Sequence, residues 1–255
     1  MTASPSAPRA LPFTDDARLS ARVVAARGAD PALLERLWTL FRRYYDDVAP
    51  DRFAEDLAAK DEIVLLETDT GEAAGFSTLS VREEIVDGRR LRVLFSGDTI
   101  VDRRHWGSQV FAQAWIRHVG EIHRRAPDLP LHWLLIVKGY RTFRYLPTFS
   151  LRFVPALTGV DDSELRALRD ELARRRFGEA FDRETGVVRF PDRRGRLAAD
   201  WATVEPHHAR RADVAFFLAR NPGWRDGDEL VCLCPVEAAS MRPFARRLFE
   251  EGRAR

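Results

Sequence analysis

The sequence predicts a mixed α/β fold in which an antiparallel meander runs into a parallel strand, and three observations carry that prediction. Residues 62–101 hold three apolar, β-rich runs, EIVLLE (62–67), AAGFSTLSV (73–81) and LRVLFSGDTIV (91–101). They are parted by the turn TDTGE and by Asp87-Gly88, a strong hairpin signal. From Gly107 to Arg125, Phe111, Trp115, Val119 and Ile122 then recur at helical spacing, with Pro127 beyond the end. LHWLLIV (131–137) is nearly all apolar, the pattern of a strand buried on both faces. A helix between two strands brings the second back parallel to the first. The fold class is therefore α/β, with a mixed (α+β) sheet.

The remaining elements follow in order. Residues 1–20 are rich in Ala, Pro and Ser and read as a flexible N-terminus. ARVVAARG (21–28) reads as a first strand. Asp30-Pro31 reads as an N-cap with Pro at the first helical position, and Leu34, Leu37, Trp38, Phe41, Tyr44, Tyr45 and Val48 extend a helical stripe until Pro50. A shorter helix, Asp51 to Lys60, places Phe53 and Leu57 on one face. After residue 137, KGYRTFRYLPTFSLRFVP (138–155) reads as an aromatic turn or short helix and then a strand. In DDSELRALRDELARRRF, Asp161 and Glu164 form a capping box, and Asp170–Arg174 and Glu171–Arg175 are i,i+4 pairs. A short strand and turn (184–196), a helix Ala212–Arg220, a strand at 229–235 and a helix Glu237–Glu251 complete the chain. The domain reading is a core over 21–155 and a C-terminal elaboration over 156–255. In it the 229–235 strand completes the sheet, and 156–228 cover one side.

Composition narrows function. The chain has 255 residues, 45% hydrophobic and 31% charged, with a net charge of +2. So small a charge gives no field suited to nucleic acid, and the Arg-rich strips Arg174–Arg176 and Arg193–Arg196 read as solvated faces. Lys60 and Lys138 are the only lysines among 41 basic residues. Cys232 and Cys234 alternate on one strand and so point to opposite faces, which argues against a bridge. No Cys, Asp or Glu partners His207-His208 at metal-ligand spacing, so no metal is expected. No apolar run is long enough for a membrane span and no signal-peptide region appears, so a cytoplasmic location is the expectation.

The stretch from Leu91 to Ala114, LRVLFSGDTIVDRRHWGSQVFAQA, carries the functional reading. A strand that turns tightly into a helix N-terminus gathers outward-pointing N–H groups, an arrangement suited to phosphate or pyrophosphate. With the order β, α, α, β, β, β, α, β around it, this stretch resembles the central strand and pyrophosphate loop of the GNAT superfamily of N-acyltransferases. The resemblance covers roughly residues 21–155. It implies an acyl thioester lying between splayed parallel strands, with acyl-CoA or acetyl-CoA as donor, an acyl carrier protein as the other donor, and an amine acceptor. The family loop is Gln/Arg-x-x-Gly-x-Gly/Ala. Arg104-x-x-Gly107-x-Gln109 keeps its first two features, and Gln109 stands where Gly or Ala is expected. A register starting at Trp106 fits the distance from Val101 better but loses the glycines. The donor-binding residues implied are Ile100, Val101, Arg104, Trp106, Gly107, Ser108 and Gln109.

Transfer needs a polarised thioester carbonyl, a base for the amine and a proton for the leaving thiolate. Asp98 is the conspicuous candidate base, a carboxylate in an apolar strand whose alternation puts it on one face with Ser96. It reads equally as a structural Asp held by an Arg or a backbone N–H. Glu83 and Glu84 are alternative bases or solvated hairpin residues. The resemblance implies a Tyr as acid after the fifth strand; Tyr145 is the choice over Tyr140, and either can simply pack. His105 flanks the loop and reads as a group titrating near neutrality or as an exposed turn residue, and His132 and Trp133 read as cleft or core residues. Tyr140, Phe143, Tyr145, Phe149 and Phe153 read as the wall of an acyl tunnel or as core. Two functions stand at this point: an acyltransferase, and a non-catalytic GNAT-like protein that binds a ligand or partner.

Overall fold

The computed structural model describes residues 18–192 and 194–255. The expectation of a flexible segment over 1–20 falls, up to residue 17, outside them, as does Arg193. The chain opens with β1 (Leu19–Ala25) and α1 (Pro31–Phe41). The Asp30 carboxylate accepts the Ala32 N–H at 2.8 Å, which fixes the helix start. The helical stripe read on to Val48 stops short: α1 ends at Phe41, and Tyr45–Asp46 forms a short strand, β2. Tertiary contacts override spacing there. The Tyr44 hydroxyl accepts the Arg103 N–H at 2.7 Å, its ring lies 4.8 Å from that of Trp201, and Tyr45 pairs with Leu197. α2 (Pro50–Ala58) then turns Phe53 and Leu57 inward.

β3 (Glu62–Thr68), β4 (Ala73–Val86) and β5 (Arg89–Val101) form the antiparallel meander. Asp87 and Gly88 sit at φ 49° and 75°, as a two-residue hairpin turn of this kind requires. α3 (Val110–Arg124) crosses over and β6 (Leu131–Val137) returns parallel to β5. Then come α4 (Tyr140–Phe143), α5 (Tyr145–Phe149) and α6 (Ser163–Phe177). Residues 150–155 make only isolated bridges, Ser150 with Met241 and Val154 with Leu233, in place of the strand read there. The cap of α6 is Asp162, which accepts the Leu165 N–H at 3.0 Å, because Asp161 turns back to the Ala156 N–H. Glu171 does pair with Arg175, at 2.6 Å, but Asp170 is drawn inward to Arg169 instead of Arg174.

Short strands β7 (Phe181–Asp182), β8 (Val187–Val188) and β9 (Arg196–Leu197) follow, then α7 (Pro206–Ala209) and α8 (Ala212–Arg220). β10 (Glu229–Pro235) and α9 (Pro243–Arg253) end the described chain. The main sheet runs β1-β3-β4-β5-β6-β10-β8-β7, with β10 antiparallel to β6. α3, α9, α4 and α8 cover one face, and α1, α2 and α6 the other. Cys232 and Cys234 are buried free thiols on β10, and burial raises the pKa of both.

Two features of this packing are testable. α3 and α9 meet at glycines: a Cβ on Gly252 would overlap the Arg117 carbonyl, and one on Gly120 the Phe249 carbonyl. Gly252→Ala is expected to cost about 1–3 kcal/mol of stability through overpacking, read as a lower Tm. Glu62, at the start of β3, is the second. Burial works to raise its pKa, but hydrogen bonds from His118 at 2.7 Å and Arg125 at 2.8 Å outweigh it, and the carboxyl is held down to about 2. A depressed carboxyl adds stability that is present above its unfolded pKa and lost as pH falls through the folded one. Stability is expected to fall between pH 4.5 and about 2, and Glu62→Gln to remove that part of the slope in acid melts followed by circular dichroism.

Candidate active site

The site begins where β5 and β6 part. Their pairing runs from Arg92–Leu131 to Ser96–Leu135 and stops. β5 continues to Val101, still paired to β4, while β6 ends at Val137. The parting coincides with a β-bulge. Ser77 opposes Thr99 and Leu79 opposes Ser96, so Gly97 and Asp98 together face the single residue Thr78. The bulge corrects the simple alternation that placed Ser96 and Asp98 on one face. Ser96 accepts the Trp133 indole N–H at 2.8 Å, whereas Asp98 stands beside Phe95, Gly97 and Thr99 in a cavity wall.

Two cavities meet at this gap. One, of about 670 Å³, lies on the α1–α2 and α6 side. The other, of about 440 Å³, lies between the start of α3 and α4. Tyr45, Thr99 and Thr142 border both. The Asp102 N–H bonds the Ala74 carbonyl at 2.8 Å and so faces β4. By strand alternation, the main-chain groups of Thr99 and Val101 then face the gap, where the Val101 carbonyl takes the Trp106 indole N–H at 2.8 Å.

The loop after Val101 divides into a closed half and an open half. Arg103–His105 form a tight turn. The Arg103 amide is held by the Tyr44 hydroxyl, that of Arg104 by the Asp102 carboxylate, and those of His105 and Trp106 by loop carbonyls. The amides of Gly107, Gln109, Phe111 and Ala112 have no partner among the described residues, and the first turn of α3 has no side-chain cap from Gln109. Ile100, Val101, Trp106, Gly107 and Ser108 line the smaller cavity. Gly107 sits at φ 99°, a conformation that favours glycine.

Arg104 and Gln109 are placed elsewhere. Arg104 is engaged by Asp102 and Glu72, at 3.0 and 2.5 Å, and is not in the cavity wall. Burial works to raise the Asp102 pKa, but the Arg104 hydrogen bonds overcome it and hold the carboxyl below the usual range. The exposed Gln109 side chain reaches only the Gly107 carbonyl, at 3.4 Å.

Sequence reasoning passed over two arginines of the smaller cavity. The Arg141 guanidinium lies 4.3 Å from the centre of the Trp106 ring, and Arg144 lines the same wall. Their signal was present, two arginines three apart in an otherwise aromatic YRTFRY segment. Burial lowers the Arg141 pKa. His105 Nε2 is buried without a hydrogen-bond partner among the described residues. His208 reaches the cavity from far along the chain, its Nδ1 3.0 Å from the Tyr140 hydroxyl. Tyr145 is half-buried in the same wall, and burial raises its pKa. Tyr140, Phe143 and Phe149 belong to the core, as does Trp133.

In the larger cavity, Asp98 is half-buried and has no hydrogen-bond or ion-pair partner among the described residues. Glu229, which sequence reasoning missed, lies buried at the start of β10 with its carboxylate 3.4 Å from Lys138 Nζ. Burial raises the Glu229 pKa, and the Asp98 charge pushes the same way. Burial, Asp98 and Glu229 together raise that of the Tyr45 phenol. Among the described residues no group of three His, Cys, Asp or Glu could hold a metal ion, and no helix is long and apolar enough to cross a membrane.

No family model and no curated protein matches the chain. Solved structures do. The chain is similar to a GNAT family N-acetyltransferase from Escherichia coli in complex with CoA, at 16% identity over 52% of this chain and 71% of that one, TM-score 0.38. It is similar to a GCN5-related N-acetyltransferase from Kribbella flavida, at 14% identity over 54% and 34%, TM-score 0.40. It is also similar to Saccharomyces cerevisiae N-myristoyltransferase with bound myristoyl-CoA, at 14% identity over 53% and 35%, TM-score 0.35. It spans about a third of the length of the last two. In its own architecture the chain has a mixed α/β fold of meander, crossover helix and diverging parallel pair.

Proposed function

We propose that the chain transfers an acyl group from an acyl-CoA thioester to an amine. One observation carries this reading: the gap between β5 and β6 joins two cavities, one with free helix amides and arginines, the other with an unpaired carboxylate. The donor phosphates lie at the start of α3, on the Gly107 and Gln109 amides, with Arg141 adding positive charge, while Arg144 in the same wall is paired with Asp213 at 3.2 Å. The pantetheine arm follows the main chain of Val101 and Thr99 into the gap. There a strand N–H polarises the thioester carbonyl. The amine enters from the larger cavity and gives its proton to Asp98. The N–C bond forms, the tetrahedral intermediate collapses, and the C–S bond breaks. Tyr145 returns a proton to the departing thiolate.

An acyl carrier protein presents the same arm and is the second donor to try. Purified protein titrated with acetyl-CoA and longer acyl-CoAs is expected to release free thiol only when an amine is supplied. Tyr145→Phe is expected to slow turnover about 10- to 100-fold with donor affinity retained, since proton delivery alone is lost. The self-held amides of Arg103 to Trp106 favour a second reading, a GNAT-like protein that binds a ligand without turnover. Saturable acyl-CoA binding without thiol release in the presence of any amine would select it.

A further inference from the structure

The larger cavity brings as many acidic side chains as basic ones to its wall, and most of them cancel. Arg52 pairs with Asp56 at 3.4 Å, Lys138 with Glu229 at 3.4 Å and Arg194 with Asp192 at 3.7 Å. Asp98, Glu179, Lys60 and Arg176 remain, and none has an ion-pair partner within 4.0 Å among the described residues. Glu179 and Arg176 lie at the mouth. Lys60 is 7% exposed, and its ammonium donates to the Asp56 carbonyl at 3.0 Å. An ammonium has three donors, so two remain to be met.

The left-over charges are also sorted in space. Lys60 Nζ and the Arg176 guanidinium both lie against the Phe95 ring, 5.9 and 3.7 Å from its centre. Asp98 lies at the other end, next to Thr99, which with Tyr45 borders both cavities at the gap. Gly97, between Phe95 and Asp98, keeps room for the ammonium: a Cβ there would sit 3.0 Å from Lys60 Nζ and 2.8 Å from Thr78 Oγ1. Thr78 Oγ1 is itself buried without a partner among the described residues. Both of the chain's lysines line this one cavity, in a protein whose other basic residues are all arginine. A compact ammonium with rotatable donors suits a small anion approached from several directions.

We propose that the acceptor is an amine carrying its own anionic group, a carboxylate or a phosphate. Its ammonium meets Asp98 at the gap, and its anion meets Lys60, with Arg176 at the mouth. Taking this cavity as the acceptor side rests on the acyl-transfer reading.

Binding and turnover are measured separately. In calorimetry on the full chain, 4-aminobutyrate is expected to bind at least about 10-fold tighter than butylamine, and phosphoethanolamine than ethanolamine, the larger ratio identifying the preferred anion. Lys60→Met and Arg176→Gln are each expected to narrow those ratios to within about threefold. Should Lys60→Met fail to fold by circular dichroism, Arg176→Gln, on the exposed rim, decides. Equal binding of anionic and neutral amines, no binding of either anionic probe up to about 10 mM, or ratios that survive both substitutions overturn the proposal. Thiol release failing with every amine while the binding preference persists removes acyl transfer and leaves the anion site standing.

Discussion

Asp98→Asn is expected to lower kcat/KM for amine acylation by about 100-fold or more, with the affinity for acyl-CoA unchanged within about threefold. The substitution keeps size and hydrogen-bonding capacity and removes only basicity. Asp98 has no hydrogen-bond or ion-pair partner among the described residues, so its replacement strands no buried cation, and the Tm should hold. The substitution also has a signature at a neighbouring group. The Asp98 charge helps to raise the Glu229 pKa, so Asn at 98 is expected to lower it and to move any acid limb that reports Glu229 to lower pH. A merely structural Asp98 would instead show a lower Tm and normal turnover per folded molecule.

Ser108→Asp is expected to weaken CoA binding by about 100-fold while leaving the fold intact. Ser108 lines the smaller cavity, and its hydroxyl accepts the Val110 N–H at 3.3 Å. An Asp carboxylate can accept the same bond and suits a helix start, so α3 is not put at risk. It places a negative charge where the donor phosphates are to lie. Two like charges about 5 Å apart at an effective dielectric near 20 repel by roughly 3 kcal/mol, about two powers of ten in affinity. Ser108→Ala, which removes the hydroxyl without adding charge, is expected to weaken binding less than about fivefold. Raising the salt should recover part of the loss in Ser108→Asp and none in Ser108→Ala.

Local pattern made the meander, the crossover and β6 legible, because strand and helix periods differ and Asp87-Gly88 announces its turn. It made Asp98 conspicuous for a physical reason, a charge inside an apolar run. It did not show the bulge, because one extra residue in a strand leaves no mark on composition while reversing which face each later side chain takes. Hence Asp98 stands with Phe95 and not with Ser96. Tyr44 and Tyr45 fitted a helical stripe, yet their fate is set by Arg103, Trp201 and Leu197, two of them more than 150 residues away. Glu229, His208 and Trp201 reach the cavities from the C-terminal half, where nothing in the local pattern connects them to β5. The loop was read as a row of free amides; the turn at Arg103–His105 uses up its first half, and only the start of α3 remains available.

The account depends on an activated acyl arm entering the opening between β5 and β6 from the α3 side. Calorimetric titration of the full chain with CoA and acyl-CoAs, followed by the same titration of Ser108→Asp, tests this most directly. Saturable binding that the substitution weakens about 100-fold, with thiol released on adding an amine, is the predicted result. Absence of binding by any acyl-CoA or acyl carrier protein, or binding that Ser108→Asp leaves untouched, would contradict it.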